Sequence, residues 1–128
     1  MKNGLIIDES GTKYYYLNGL LHREGGPAVE FLSGNKFYYL HGKLHREGNL
    51  PAIEWPNGEK TYLVYGKYHR ENGPAREFAN GNHYYLNHIR FSEQDYWEEI
   101  KRIKSLNFIF CEYLKKIIKN KTKIYRWE

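Results

Sequence analysis

The segment Leu21-His22-Arg23-Glu24-Gly25-Gly26-Pro27-Ala28 returns as Leu44-His45-Arg46-Glu47-Gly48-Asn49-Leu50-Pro51-Ala52, and again as Tyr68-His69-Arg70-Glu71-Asn72-Gly73-Pro74-Ala75. A chain that copies one unit every 23 or 24 residues folds as a stack, because a unit that short buries its apolar face only against its neighbours. Units start at Gly11, Gly34, Gly58 and Gly81, and Leu50 is the extra residue of the second. Stacking sets the same side chains at regular intervals, which builds a surface more readily than a single asymmetric pocket.

Each unit carries two turn signals. Ser33-Gly34, Asn57-Gly58 and Asn80-Gly81 precede one strand-like run, while Asn18-Gly19, His41-Gly42 and Tyr65-Gly66 follow it. Glycine accepts positive φ in such turns without a Cβ clash. Two turns per unit predict a continuous antiparallel meander, a single elongated sheet of β-hairpins. The columns Tyr15/Tyr38/Tyr62/Tyr84 and Leu17/Leu40/Val64/Leu86 stand two residues apart, so one sheet face carries both, and this face is expected to be the core. A further strand carries Val29 and Phe31, then Ile53 and Trp55, then Arg76 and Phe78, with Glu30, Glu54 and Glu77 on its other face. Arg76 breaks that pattern and is read as marking the end of the core. The repeat is expected to decay at Asn87-His88-Ile89-Arg90-Phe91.

Ser92-Glu93-Gln94-Asp95 then has the form of a capping box, and Trp97, Ile100, Ile103, Phe110, Leu114 and Ile117 keep a helical spacing. The fold class expected is therefore mainly β with a C-terminal α segment of one or two helices, depending on whether Ser105-Leu106-Asn107 interrupts it. Residues 1–91 form the repeat region and residues 92–128 a basic helical cap and tail, within one integrated domain. Charge divides along the same line. Residues 1–98 hold 11 Lys/Arg against 12 Asp/Glu, whereas residues 99–128 hold 9 against 3. That asymmetry suits an acidic partner, or equally a solvated helix face. A lone cysteine excludes an internal disulfide framework and fits a reducing compartment, and Leu5-Ile6-Ile7 is too short for a leader or a membrane span. A soluble cytoplasmic protein is expected.

Three His-Arg-Glu triplets invite a reading as metal ligands or acid/base groups. Equivalent histidines two strands apart lie roughly 10 Å from one another, too far to share one zinc. The imidazoles are therefore expected to pack beneath the next rung, with Arg and Glu in inter-strand ion pairs. Cys111 lies in the apolar run Phe108-Ile109-Phe110-Cys111 and is expected to be a buried free thiol rather than a nucleophile partnered by His69 or His88. No phosphate loop, zinc cysteine cluster or nucleophile elbow is present, so no enzyme, metal, cofactor or small-molecule substrate is expected. Arg23, Arg46, Arg70, Glu30, Glu54 and Glu77 are the candidate protein-binding residues. Lys115, Lys116, Lys119, Lys121, Lys123, Tyr125, Arg126 and Trp127 combine cations with stacking rings, a pattern suited to RNA or single-stranded nucleic acid.

Pro56-Asn57-Gly58-Glu59-Lys60-Thr61-Tyr62 followed by Tyr65-Gly66-Lys67-Tyr68-His69 resembles MORN repeats, and Gly42-Lys43-Leu44-His45 and Gly19-Leu20-Leu21-His22 match less fully. The resemblance covers approximately residues 11–91. His-Arg-Glu followed by Pro-Ala looks like the divergent MORN-like repeats of bacterial, phage and large-virus proteins. It implies antiparallel hairpin stacks used for protein interaction or membrane association. By analogy, a chain of this size is expected to be a phage- or virus-type inhibitor or adaptor acting on a host protein or nucleoprotein complex, in the host cytoplasm. Direct RNA binding through the C-terminal segment is the alternative.

Overall fold

The computed structural model describes the backbone of residues 1–124 and the side chains of residues 1–120. The chain divides into two compact units, one spanning Met1–Glu93 and the other beginning at Gln94. No helix among the described residues is long and apolar enough to cross a membrane.

The first unit is an antiparallel meander. Its strands are β1 (Gly4–Ile7), β2 (Lys13–Leu17), β3 (Leu20–Leu21), β4 (Val29–Glu30), β5 (Lys36–Phe37), β6 (Tyr39–Leu40) and β7 (Lys43–Leu44), then β8 (Ile53–Glu54), β9 (Lys60–Thr61), β10 (Leu63–Val64), β11 (Lys67–Tyr68), β12 (Arg76–Phe78), β13 (Gly81–Leu86) and β14 (Ile89–Phe91). One ten-stranded sheet runs in the order β1-β2-β4-β5-β8-β9-β12-β13-β14, with β3 also on β2. β6 with β7 and β10 with β11 form two further two-stranded ladders, so the meander is not one uninterrupted sheet.

Turn chemistry explains the path. Asn18-Gly19, His41-Gly42 and Tyr65-Gly66 have positive φ at both residues, between +47° and +80°, as a two-residue hairpin loop of the primed type requires. Asn87-His88 adopts the same conformation at +48° and +70° and joins β13 to β14, so the fourth unit completes its hairpin where the sequence predicted decay. A local compensation holds this non-glycine turn: the His88 ring stacks on Tyr68, and its Nδ1 accepts the Tyr68 N–H at 3.2 Å.

The register decides where the core lies. Tyr14, Val29, Phe37, Ile53, Thr61, Arg76 and His83 oppose one another across successive strands and form one row. Lys13, Glu30, Lys36, Glu54, Lys60 and Glu77 form the neighbouring row on the other face, alternating in sign. Such opposite-charge neighbours favour this register by tenths of a kcal/mol, about 0.2–1 each. The sheet runs on past Arg76, whose row continues to His83 on β13, and Leu86 on that strand is buried. Its guanidinium lies 4.5 Å from the Phe78 ring centroid, and Thr61 Oγ1, Arg76 Nε and His83 Nδ1 are buried without hydrogen-bond partners.

The face predicted to be the core is only partly so. Leu17 and Val64 are exposed, and the deepest positions are instead Ala28, Ala52 and Ala75, each at 0% exposure. Those alanines also join strands through the main chain: Tyr15, Tyr38 and Tyr62 donate their N–H groups to the carbonyls of Ala28, Ala52 and Ala75 at 2.7–2.8 Å. A methyl group fills the space and a larger side chain would overfill it.

Among the described residues the second unit is a helix, α1 (Glu93–Ile124), uninterrupted at Ser105-Leu106-Asn107. Within it Ser105 donates its hydroxyl to the Lys101 carbonyl one turn earlier. Ile100 is buried, but Leu106, Phe108, Ile109, Phe110, Tyr113 and Leu114 are 41–67% exposed. Cys111 is exposed with them, contrary to the buried thiol expected, because an apolar run on a helix distributes its members around the axis.

Candidate binding groove on the repeat face

The conserved chemistry of each unit is a short loop from histidine to proline, and three side chains determine its shape. Arg23, Arg46 and Arg70 lay their guanidinium groups over the rings of Tyr15, Tyr38 and Tyr62, with Cζ 3.9, 3.8 and 3.8 Å from the centroids. Each also donates from one nitrogen to the carbonyl of Pro27, Pro51 or Pro74 at 3.1 Å. The same nitrogen reaches Glu30, Glu54 or Glu77 at 3.4, 2.8 and 2.6 Å. Burial raises the Tyr38 and Tyr62 hydroxyls above their ordinary range, and Arg46 and Arg70 partly offset this.

Gly26 and Gly73 make room for this clamp. A Cβ at Gly26 would fall 2.9 Å from Arg23 Cζ, and one at Gly73 3.3 Å from an Arg70 nitrogen. Stacking on a ring is worth about 0.5–2 kcal/mol, and charged hydrogen bonds add to it, so these arginines are committed to the fold. Of the candidate protein-binding residues, Arg46 and Arg70 leave only 24% and 14% of their side-chain surfaces open. The six residues Arg23, Arg46, Arg70, Glu30, Glu54 and Glu77 are brought together pair by pair and are largely spent on one another.

The histidines tie one unit to the next. Nδ1 of His22, His45 and His69 accepts the backbone N–H of His41, Tyr65 and Asn87 at 2.9, 2.9 and 3.0 Å. Each acceptor bond leaves Nε2 as the protonated nitrogen of the neutral ring, facing Glu24, Glu47 or Glu71 at 3.9, 3.5 and 3.6 Å. His45 is buried and stacks on Tyr65 at 4.0 Å. Imidazoles packed beneath the next rung are what the sequence predicted. Among the described residues no group of three or more His, Cys, Asp or Glu is placed to hold a metal ion.

Between successive loops lie two open clefts of about 380 and 630 Å³. They share His45, Arg46, Glu47 and Leu50, the loop that stands between them, so equivalent clefts flank one repeat loop. No family model, characterised protein or solved structure matches this chain. The clefts must therefore be read from their own chemistry. The clamp arginines have carboxylate partners, whereas Glu24, Glu47 and Glu71 face neutral imidazoles and keep 89%, 78% and 61% of their side-chain surface in solvent. Tyr62, Leu63, Val64 and Tyr65 line one cleft, and Leu40 contributes to the other. The clefts thus mix apolar and aromatic groups with polar ones, and three largely solvent-exposed carboxylates stand at repeat spacing.

Sequence reasoning missed Leu50 and the third member of each triplet as residues that line the clefts. The signal for Leu50 was present: it is the one inserted residue in the array, and it lies half-exposed in both clefts. Of the nucleic-acid candidates, Lys115 pairs with Glu112 at 3.0 Å, while Lys116 and Lys119 are exposed on α1. The side chains of Lys121 and Lys123, and all of Tyr125, Arg126 and Trp127, lie outside the described residues.

Proposed function

We propose that this is a non-catalytic, divergent MORN-like binding protein whose repeat clefts take an extended segment of a partner protein, acting as an inhibitor or adaptor on a protein or nucleoprotein complex. Two successive clefts, both lined by His45, Glu47 and Leu50 of the loop between them, carry this reading. The solvent-exposed carboxylates of Glu24, Glu47 and Glu71 favour a segment with lysine or arginine at intervals, and Leu40, Leu63 and Val64 favour apolar side chains between them. Arg23, Arg46 and Arg70 also line the clefts but are paired with Glu30, Glu54 and Glu77, and the outer carboxylates repel phosphates, which favours peptide over nucleic acid.

Selection from a displayed random-peptide library tests it. Cationic, apolar extended peptides are expected to be enriched, and Glu24→Gln/Glu47→Gln/Glu71→Gln is expected to weaken them about tenfold and flatten their salt dependence. Enriched peptides that bind the triple variant unchanged would remove the clefts from the reading.

A second reading, RNA or single-stranded nucleic-acid binding, draws on the exposed Lys116 and Lys119 and on the basic balance of residues 99–128. Replacing Lys115, Lys116, Lys119, Lys121 and Lys123 with Gln is then expected to abolish retention on RNA at low salt, where the electrostatic attraction is strongest. Retention unchanged in that variant would exclude the helix as the RNA contact.

A further inference from the structure

The two edges of the long sheet are not equally protected. β14 carries the charged Arg90 at its centre, whereas β1 reads Leu5-Ile6-Ile7 with no charge, no proline and every residue exposed. Natural sheets blunt such edges with lysine, proline or a bulge, because an open row of amides and carbonyls is a template for another strand.

The register shows which groups are open. Asp8 donates its N–H to the Thr12 carbonyl at 3.1 Å, and hydrogen-bonded pairs alternate along an antiparallel ladder, so Ile6 directs its amide and carbonyl inward to Tyr14. Leu5 and Ile7 therefore direct theirs outward. Tyr15, opposite Leu5, agrees with this, since its N–H points the other way to Ala28.

We propose that β1 is a self-association edge, through which two copies of this chain pair antiparallel about a twofold axis at Ile6. In that register Leu5 faces Ile7 of the second copy in a hydrogen-bonded pair, Ile7 faces Leu5 likewise, and Ile6 faces its own equivalent. Both outward amides and both outward carbonyls are satisfied, and every facing side chain is apolar.

The flanking charges select a second copy over an unrelated strand. Asp8 and Lys2 lie on one face of the sheet, since Asp8 accepts from the Tyr14 hydroxyl and Lys2 sits over the Tyr16 ring. Tyr14 and Tyr16 stack on that face. The twofold sets Asp8 opposite Gly4 of the second copy and diagonal to its Lys2, so unlike charges meet at both ends and no like charges face each other. The near balance of charge in residues 1–98 leaves little long-range repulsion between two repeat regions. The contact is short, so the dimer is concentration-dependent rather than obligate.

Sedimentation of the full chain from low micromolar to near-millimolar concentration tests this, with Cys111→Ser as the background that removes the exposed thiol. A monomer–dimer equilibrium is expected, and Ile6→Lys, which sets two lysines face to face on the axis, should weaken it about a hundredfold without altering the far-ultraviolet spectrum. As an independent readout, Ile6→Cys should form a disulfide-linked dimer under mild oxidation, because residues facing across a non-hydrogen-bonded pair have Cα atoms about 4.5 Å apart, within disulfide reach. Leu5→Cys should cross-link far less, since it faces Ile7. A monomer at every concentration with no cross-linking at Ile6 would overturn the proposal. So would a dimer that persists in Ile6→Lys, or cross-linking through Leu5→Cys equal to that through Ile6→Cys.

Discussion

The repeat unit and α1 handle apolar surface in opposite ways. In the repeats the deepest side chains are alanines, and the large rings of Tyr15, Tyr38 and Tyr62 are covered by arginines from their own unit. In α1 the large side chains Phe108, Ile109, Phe110 and Tyr113 stand open. A thin sheet cannot surround a bulky residue with other bulky residues, so it succeeds by close backbone approach and by planar groups laid flat on rings. A single helix has no such recourse, because its own turns cover little of its surface. Stability is therefore expected to concentrate in small, recurrent contacts of the repeats, and not in the largest apolar residues of the chain.

Four experiments test this contrast. The largest effect is expected at Ala52, where Leu must force apart strands joined by the Ala52 carbonyl and the Tyr38 N–H; Ala52→Leu should cost about 3 kcal/mol in denaturant unfolding. A cost below that of an ordinary surface change would mean that the alanine column is not tightly packed. Next is the clamp: Arg46→Ala should cost about 2 kcal/mol, and Arg46→Lys should recover less than half, because an ammonium can neither lie flat on Tyr38 nor keep the planar donor geometry. Full recovery by lysine would reduce the clamp to simple charge pairing.

On the helix the expectation reverses. Phe108→Ser should change stability by less than about 0.5 kcal/mol and increase solubility, and Cys111 should react stoichiometrically with a thiol reagent in the native protein. A protected thiol together with a large loss at Phe108 would show that this face is covered in solution. The smallest effect concerns His83. Burial, with Arg90 and Arg76 beside it, holds its imidazole below the ordinary range, so the unfolded chain binds the extra proton first as pH falls. Stability at His83 is present above pH about 6.5 and is lost as pH drops through the lowered folded value. His83→Gln should flatten that acid limb, and an unchanged limb would assign it to other groups.

The period of the repeat, the two turns per unit and the start of the helix were all legible in the chain, because glycine spacing and side-chain periodicity are local properties. Local chemistry also identified the histidines as inter-unit packing groups. It misjudged Asn87-His88, where a stack on Tyr68 supports a turn that the missing glycine argued against. It misjudged Cys111 too, since apolar neighbours in sequence do not imply cover in space.

What the sequence determined by itself was an antiparallel array of glycine-turned hairpins leading into a basic helix. What tertiary structure alone decided was the fate of each charge. Arg46 and Glu47 are adjacent in the chain and look equally available, yet the strand crossing delivers Tyr38, Pro51 and Glu54 to the arginine and leaves the glutamate facing a neutral imidazole at the cleft rim. Exposure of a charge depends on which distant groups the register brings within a few ångströms, and the register belongs to the assembled sheet.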